Sequence, residues 1–204
     1  MSRLVNRHRS YSVEEYFEIE LASNARHELR RYGRVVAMAG GTANHTRICM
    51  NLHAALRAQL RPKGCETFGS DLRIKAKQST HYFYPDASVI CGPADIEHWG
   101  RTESITNPIA IFGVLSPTTE LYDRGDKFSE YICIESLKTY AVIEQHIPRV
   151  DVYSRNDAGE WLLNFMSGAD AALTTKSPGF SVPFAELYEG VEFVPQVRDP
   201  REED

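Results

Sequence analysis

The chain contains 204 residues, of which 42% are hydrophobic and 25% charged, a composition that suits one globular domain, or one domain with a short appendage. Its 23 Lys and Arg against 28 Asp and Glu give a net charge of −5, which argues against a polybasic nucleic-acid binder but not against a nuclease with a local basic surface. The sequence has no apolar run of about 18 residues to span a membrane and no secretory h-region near its N-terminus, so we expect a cytoplasmic protein without a membrane segment.

The four cysteines, Cys49, Cys65, Cys91 and Cys133, are widely spaced and include no CxxC pair. Zinc sites usually bring their cysteines in such close pairs, and disulfide frameworks belong mainly to small secreted domains. The spacing therefore predicts buried free thiols rather than a zinc site or a disulfide.

The first third of the chain has clear start signals for its elements. Ser12 and Glu15 form a capping box, which predicts a short helix through about Leu21. A hairpin is expected over residues 27–39. A longer helix is predicted over about 44–60, because apolar residues recur there at spacings of three and four along one face. That face consists of Ile48, Leu52, Ala55, Leu56 and Leu60.

The middle of the chain predicts mainly strands. Short strands are expected near residues 66–68 and 72–75, followed by a longer strand over 82–91 that has Pro85 near its start. Residues 92–107 are polar and predict a loop. Residues 108–115 are almost continuously apolar, which is typical of a buried central strand.

The last part of the chain begins with a predicted helix over about 120–135. Strands are expected at 139–144, 149–153 and 160–165, before short β segments and a final turn near 184–188. Helices and strands mix without strict βαβ alternation, so the pattern predicts an α/β (α+β mixed) fold with helices packed on a mixed sheet. We expect one domain over residues 12–194, between an N-terminal tail (1–11) and a polar C-terminal tail (195–204).

Two charged residues lie where chemistry is plausible from their position in the chain. Asp86 falls inside the predicted strand 82–91, where a carboxylate needs hydrogen bonds or a cation; it is either a metal ligand or a residue at a strand edge or turn. Lys127 follows the central strand, and a helix there would bring it to the carboxyl end of that strand, where α/β sheets usually place their sites. The alternative is an ordinary solvated helix start.

Other residues are weaker candidates when each is taken alone. Glu28 lies in the predicted hairpin, and His45 lies near the start of the long helix. Ser116 lacks the G-x-S-x-G context of a nucleophile. His53 and His81 have no spacing that connects them to another ligand, and no glycine-rich phosphate-binding motif is present.

Several segments follow one another in a characteristic order: HELRRYGRVVAMAGG followed by a histidine, SDLRIK, YPDASVICGP, TNPIAIFGVLSPTTELYDRGDKF and a late LYEGV. Together they resemble the Uma-type "putative restriction endonuclease" family, a branch of the PD-(D/E)XK nuclease superfamily. The resemblance covers about residues 12–193, and the stretch 107–128 and the YPD strand are its most specific parts. It implies a restriction-endonuclease-like mixed central sheet flanked by helices.

The resemblance also implies an activity, which is metal-dependent hydrolysis of a DNA phosphodiester with Mg²⁺ or Mn²⁺ as cofactor. By motif, Asp86 corresponds to the metal-binding Asp of the PD element, and Glu28 to the acidic residue of the first hairpin, a further metal ligand. His45 corresponds to a histidine that the family often has before the long helix. Lys127 corresponds to the catalytic lysine, here on the helix that follows the central strand.

One departure from the family pattern concerns the metal site directly. The family usually has EVLSP on the central strand, with the Glu as the second metal ligand, whereas this chain has Gly113-Val-Leu-Ser-Pro. Three explanations stay open: a nuclease relic that retains fold and binding, a replacement ligand such as Glu120 or Asp123, or a mutation in an otherwise competent enzyme. We expect weak or absent turnover, because metal position and water activation both depend on the missing carboxylate.

Two other classes of function are consistent with the same sequence. A non-catalytic module on this fold would bind DNA or a protein partner, and a basic groove would support DNA binding. The residues available for such a groove are Arg30, Arg31, Arg34, Lys75 and Lys77. A structural protein that oligomerises through its β-rich C-terminal part is the third class. A homodimer is expected under each hypothesis, since two copies related by a two-fold axis can address both strands of a duplex.

Overall fold

The computed structural model describes residues 5–6, 9–38, 40–75, 79–116 and 120–193. The predicted N-terminal elements are present: helix α1 (Val13–Ala22), strands β1 (His27–Arg30) and β2 (Arg34–Ala37), and helix α2 (Ala43–Leu60). Ser12 caps α1 in a complete capping box with Glu15. The C-terminal tail predicted over 195–204 lies outside the described residues.

The remaining elements are mostly short strands. They are β3 (Cys65–Gly69), β4 (Arg73–Lys75), β5 (Tyr82–Phe83), β6 (Ala87–Cys91), β7 (Ile96–Trp99), β8 (Thr102–Ile105), β9 (Ala110–Val114), β10 (Thr139–Ile143), β11 (Arg149–Arg155), β12 (Trp161–Ser167), β13 (Ala172–Lys176) and β14 (Gly179–Pro183). Three short helices complete the set: α3 (Glu120–Arg124), α4 (Asp126–Tyr131) and α5 (Phe184–Leu187).

The strands form two six-stranded sheets and a separate hairpin, β13–β14. The first sheet has the order β2-β1-β5-β4-β8-β7, and the second has the order β12-β11-β10-β9-β6-β3. Both sheets are mixed, because β4 pairs with β8 and β9 with β10 in parallel while the other neighbours are antiparallel. The predicted mixed α+β class is therefore confirmed, although the strands divide between two sheets.

The central strand β9 separates two hydrophobic clusters because its side chains alternate between faces. Ala110, Phe112 and Val114 pack with the predicted apolar face of α2, including Ile48 and Leu52. On the opposite face, Ile111 and Leu115 pack with side chains of β10 and α4. A third, smaller cluster joins α1 to the first sheet. The buried central strand predicted from residues 108–115 is confirmed.

Three predicted boundaries are wrong, and each has a local cause. The strand predicted over 82–91 is two strands in different sheets, because the chain crosses between the sheets at residues 84–86, where Pro85 supplies no N–H to a ladder. The loop predicted over 92–107 contains the hairpin β7–β8, whose polar side chains hid its alternation. The helix predicted over 120–135 is interrupted at Gly125 and continues as a second short helix.

The expectation for the cysteines is also wrong in part. Cys65 and Cys91 lie directly opposite each other on antiparallel β3 and β6, with Cα atoms 4.0 Å apart, and form a disulfide. Cys49 is a half-buried free thiol, and Cys133 is a free but exposed one. Spacing along the chain could not reveal the disulfide, since strand register alone brings those two residues together.

Candidate active site

Gly113 lies in the middle of β9 and faces the cluster formed with β10 and α4, since its neighbours Ile111 and Leu115 do so. Its φ lies outside the left-handed region, so no backbone constraint requires glycine here. A Cβ at this position would meet only the Tyr140 hydroxyl, at 4.0 Å. A Cβ therefore fits at this position without a steric clash.

Asp86 lies beside Gly113, at the crossover from the first sheet to the second. Its Oδ2 accepts a 2.7 Å hydrogen bond from the backbone N–H of Val114, the residue after Gly113. Its Oδ1 lies 3.2 Å from Nε2 of His45. Within the described part of the chain, that imidazole is the only basic side chain that pairs with the Asp86 carboxylate.

Helix α2 presents a short polar stripe to Asp86. His45, Cys49 and His53 are spaced by four residues, so they share one helix face. The Cys49 Sγ lies 3.6 Å from Nδ1 of His45, and His53 Nε2 lies 3.0 Å from the backbone oxygen of Asp86. The hydrogen bond that the His45 ring donates to the Asp86 carboxylate raises the pKa of His45 against the opposing effect of burial. Burial and the nearby Asp86 charge raise the pKa of the Cys49 thiol.

These contacts define a group, His45–Cys49–Asp86, that we call the helix cluster. One ligand atom from each of its three side chains lies within 4.8 Å of the others. Among the described residues, no other set of three His, Cys, Asp or Glu side chains comes this close. In the described part of the chain, the helix cluster is therefore the place where three metal-ligating side chains come together.

A second group, Glu28–Asp123–Lys127, has a different character, and we call it the ion-pair cluster. Glu28 lies on β1 and is only 2% exposed. Its Oε1 accepts a 2.9 Å hydrogen bond from Nζ of Lys127, and its Oε2 accepts a 2.8 Å bond from Nε of Arg30. Lys127 Nζ also lies 3.3 Å from Oδ1 of Asp123. Glu28 thus has cations on both carboxylate oxygens.

Titration in the ion-pair cluster reflects this pairing. Burial alone would raise the pKa of Glu28, but the Lys127 and Arg30 charges outweigh it and lower that pKa. Burial would lower the pKa of Lys127, but the Glu28 carboxylate, with Tyr131 and Asp123, raises it well above its ordinary value. Both groups are therefore ionised at neutral pH.

Tyr140 connects Gly113 to the ion-pair cluster. Its hydroxyl, the nearest atom to a Cβ at position 113, donates a 2.9 Å hydrogen bond to the backbone oxygen of Asp123. The backbone N–H of Tyr84, two residues before Asp86, lies 3.4 Å from Oε1 of Glu28. Gly113 therefore stands between the two clusters.

The structure brings the predicted site residues together in two pairs, Asp86 with His45 and Glu28 with Lys127. Glu28 is not among the side chains that lie close enough to Asp86 to share one metal ion with it. Of the two replacement ligands considered for Gly113, Asp123 is bound to Lys127, and the Glu120 side chain lies outside the described residues. The catalytic roles of these residues stay predictions.

The expectation that His53 has no spacing connecting it to another ligand is wrong, and Cys49 was not predicted as a site residue. The signal was present, because His45, Cys49 and His53 recur at a four-residue spacing on a clearly predicted helix. None of these three residues is distinctive by itself. Asp86, which completes the helix cluster with His45 and Cys49, comes from a distant segment.

Of the residues predicted to form a basic groove, two are paired with acidic side chains and two are exposed. Arg30 binds Glu28 and stacks over the Tyr122 ring, and Lys75 binds Glu97. Arg31 and Arg34 are exposed, and Lys77 lies outside the described residues.

The donor atoms do not match the two-carboxylate magnesium site that the sequence resemblance implies. Mg²⁺ prefers oxygen ligands in octahedral geometry, with one or two carboxylates and several waters. Asp86 supplies one carboxylate and Gly113 supplies none. The Glu28 carboxylate is already paired with the cationic side chains of Lys127 and Arg30. What the described residues offer instead is one carboxylate beside an imidazole and a thiol.

Comparisons to known proteins address the fold and the family. A solved structure described as a putative nuclease belonging to DUF820, from Anabaena variabilis ATCC 29413, superposes with a TM-score of 0.67. The match covers 87% of this chain and 97% of that one at 16% identity, which establishes a common fold. No helix in the described residues is both long and apolar enough to cross a membrane.

Sequence comparison then establishes the family. The Uma2 family model, described as "Putative restriction endonuclease", matches residues 13–185, and the chain belongs to this family. Two proteins of Synechocystis sp. (strain ATCC 27184 / PCC 6803 / Kazusa) are similar to it. "Uncharacterized protein slr1290" is 36% identical over 89% of this chain and 93% of its own length. "Uncharacterized protein sll1609" is 32% identical over 78% of this chain and 89% of its own length.

Proposed function

We propose that this chain is a DNA endonuclease of the Uma2 fold whose metal-dependent phosphodiester hydrolysis is impaired at one position, Gly113. The observation that carries the proposal is the room for a Cβ at Gly113, which lies next to the Val114 N–H that binds Asp86 and faces the cluster covered by α4, the helix that carries Lys127. A glutamate there would supply the second carboxylate that the family pattern has and this chain lacks.

The other predicted site residues, Lys127 and Asp86, have distinct roles. Lys127 is a charged group held in place by Glu28 and Asp123, and such a fixed cation stabilises the negative charge that develops on a phosphate during hydrolysis. Asp86 is oriented by the Val114 N–H and by His45. A divalent cation held by Asp86 would polarise the phosphate and lower the pKa of a bound water.

The decisive experiment compares three proteins: the natural chain, Gly113→Glu and Gly113→Gln. The glutamine variant is the matched control, because it has the size of glutamate without its charge. Nicking of supercoiled plasmid is measured with Mg²⁺ and with Mn²⁺, and calorimetry reports binding of each metal.

We expect Gly113→Glu to bind metal and to nick at least about 100-fold faster than the other two, the scale of losing one catalytic electrostatic group. A folded Gly113→Glu protein that neither binds metal nor cuts DNA contradicts the proposal. Nicking by the natural chain at the same rate as the glutamate variant contradicts the impairment.

A second candidate function is a non-catalytic module that binds DNA or a protein partner. Gly113 favours it, and the exposed Arg31 and Arg34 offer a surface for phosphates. DNA binding by the natural chain that weakens with salt, without cleavage, identifies this case. Replacing both arginines by alanine should then lower the slope of log affinity against log salt by about one for each phosphate that the variant no longer neutralises.

We also propose that the chain folds as one domain over residues 12–194 and pairs as a homodimer, since a two-fold pair of sites can address both strands of a duplex. Sedimentation equilibrium with and without duplex DNA tests the pairing, and a species with twice the chain mass is expected in both.

A further inference from the structure

We propose that the helix cluster, His45–Cys49–Asp86, binds a borderline-soft divalent cation such as Zn²⁺ or Co²⁺ in preference to Mg²⁺. The inference deepens the proposed function because both involve Asp86, but it concerns binding and does not require that DNA be cut.

The arrangement of the three side chains matches what such a cation needs. His45 and Cys49 are four residues apart on α2, so their side chains project from the same helix face. Asp86 approaches from the crossover between the two sheets. Their ligand atoms lie within 4.8 Å of one another, and because atoms bound to one Zn²⁺ lie about 2.0–2.3 Å from it, small side-chain rotations close the set. Three protein ligands leave a coordination position open.

The ligand types decide which cation is favoured. Thiolate and imidazole select zinc-like ions, whereas Mg²⁺ takes carboxylates, carbonyls and water. Of the three side chains, only Asp86 provides oxygen. A second carboxylate that could shift the balance towards Mg²⁺ is absent at Gly113.

The surroundings hold these ligands in position, as second-sphere contacts do in metal sites. Thr42 caps α2 and accepts a 3.1 Å hydrogen bond from the backbone N–H of His45. The His45 ring packs on Gly41, where a Cβ would lie 2.7 Å from its Nδ1. His53 lies 3.0 Å from the backbone oxygen of Asp86. The ligands therefore come from a capped helix and a tethered crossover.

The contrast with Glu28 strengthens the assignment. Glu28 also belongs to a cluster beside Gly113, but Lys127 and Arg30 neutralise it. Asp86 has only an imidazole as a basic partner among the described side chains, and an imidazole can itself turn from hydrogen-bond partner to metal ligand. The negative charge of Asp86 is thus available to a cation.

Titration with Co²⁺ tests the proposal, because a cobalt–thiolate bond gives a charge-transfer band in the near ultraviolet, and intense visible d–d bands mark low coordination number. The protein is used with its Cys65–Cys91 disulfide intact and without added thiols. Cys49→Ser removes the proposed sulfur ligand, and Cys133→Ser is the matched control that removes the other free thiol. Zn²⁺ and Mg²⁺ are then added as competitors.

We expect the charge-transfer band in the natural chain and in Cys133→Ser, but not in Cys49→Ser. Asp86→Asn should weaken Co²⁺ binding by at least about 100-fold, since loss of even an outer contact costs 10–100-fold in affinity. Zn²⁺ should displace Co²⁺, and a large excess of Mg²⁺ should not. A band that survives Cys49→Ser, or displacement by Mg²⁺ at concentrations similar to those of Zn²⁺, overturns the proposal.

Failure of this inference can be distinguished from failure of the proposed function. If Co²⁺ gives no thiolate band while Gly113→Glu cuts DNA with Mg²⁺, the helix cluster is not a soft-metal site and the nuclease proposal stands. If the thiolate band appears and no Gly113 variant cuts DNA, the metal site stands and the nuclease proposal fails.

Discussion

The helix cluster and the ion-pair cluster lie on either side of Gly113 and differ in what accompanies their carboxylates. Glu28 has a lysine and an arginine on its two oxygens and is almost fully buried. Asp86 has one backbone N–H and one imidazole. Two carboxylates that a sequence motif assigns to one metal site can therefore have different roles, because a carboxylate already neutralised by protein cations offers little to another cation.

The largest expected effect concerns the buried ion pair of Lys127. Lys127→Met should reduce the free energy of unfolding by about 3–5 kcal/mol, because it leaves Glu28 and Asp123 short of a buried partner. Lys75→Met is the matched control, since Lys75 pairs with the more exposed Glu97 and such pairs contribute about 0–1 kcal/mol. Urea unfolding measures both. Equal losses in the two variants would show that the ion-pair cluster has no special structural role.

The second effect concerns catalysis in the Gly113→Glu background. Adding Lys127→Met should slow plasmid nicking by about 100–1,000-fold, because the transition state loses a fixed cation. Adding Lys75→Met in the same background should leave the rate unchanged. Circular dichroism at the assay temperature ensures that the double variants are folded, and an unchanged rate in folded Gly113→Glu/Lys127→Met rules out this role for Lys127.

The third effect tests how the helix cluster is built. Gly41→Ala should weaken Co²⁺ binding by about 10-fold, at the lower end of outer-contact effects, because the added Cβ would lie 2.7 Å from Nδ1 of His45 and displace the ring. Gly40→Ala is the control, since a Cβ there meets nothing within 4 Å. Cobalt titration followed by absorbance measures both, and equal affinities contradict the packing argument.

The smallest effect is a pH dependence of stability that arises from Glu28 in the ion-pair cluster. Lys127 and Arg30 outweigh burial and hold the pKa of Glu28 below its ordinary value of 4.5, so the folded chain binds this proton less readily than the unfolded chain. The stability that Glu28 contributes is complete above the unfolded-state pKa and is lost as the pH falls through the lower, folded-state pKa.

Glu28→Gln should therefore be less stable than the natural chain at pH 7, and the difference should shrink as the pH falls below the ordinary glutamate pKa of 4.5. Asp71→Asn serves as the control, because Asp71 is highly exposed. The stability of this variant should differ little from that of the natural chain over the whole pH series. Urea midpoints measured along the pH series give both differences. If the difference between Glu28→Gln and the natural chain stays constant with pH, the Glu28 carboxyl has the same pKa in the folded and the unfolded chain.

Local signals in the sequence predicted local structure well. The capping box at Ser12 and Glu15 and the apolar face of α2 were both correct, because each depends on residues within a few positions of one another. The buried strand β9 was also predictable, since a continuous apolar run is stable only when covered on both faces.

The errors occurred where distant segments decide the outcome. Tyr82 and Ala87 read as one strand yet belong to different sheets. Cys65 and Cys91 form a disulfide because strand register places them opposite each other. Neither sheet membership nor register is encoded in the spacing of residues along the chain.

The sequence by itself determined the family, the mixed α+β class, the capped helix α1, the apolar face of α2 and the choice of candidate residues, including the glycine at position 113. Only the tertiary structure decided how those residues combine. It paired Glu28 with Lys127 and Arg30, and it placed Asp86 against His45 and Cys49. The reason is physical: the charge available at a carboxylate depends on which side chains surround it in space, and those neighbours come from segments far apart in the chain.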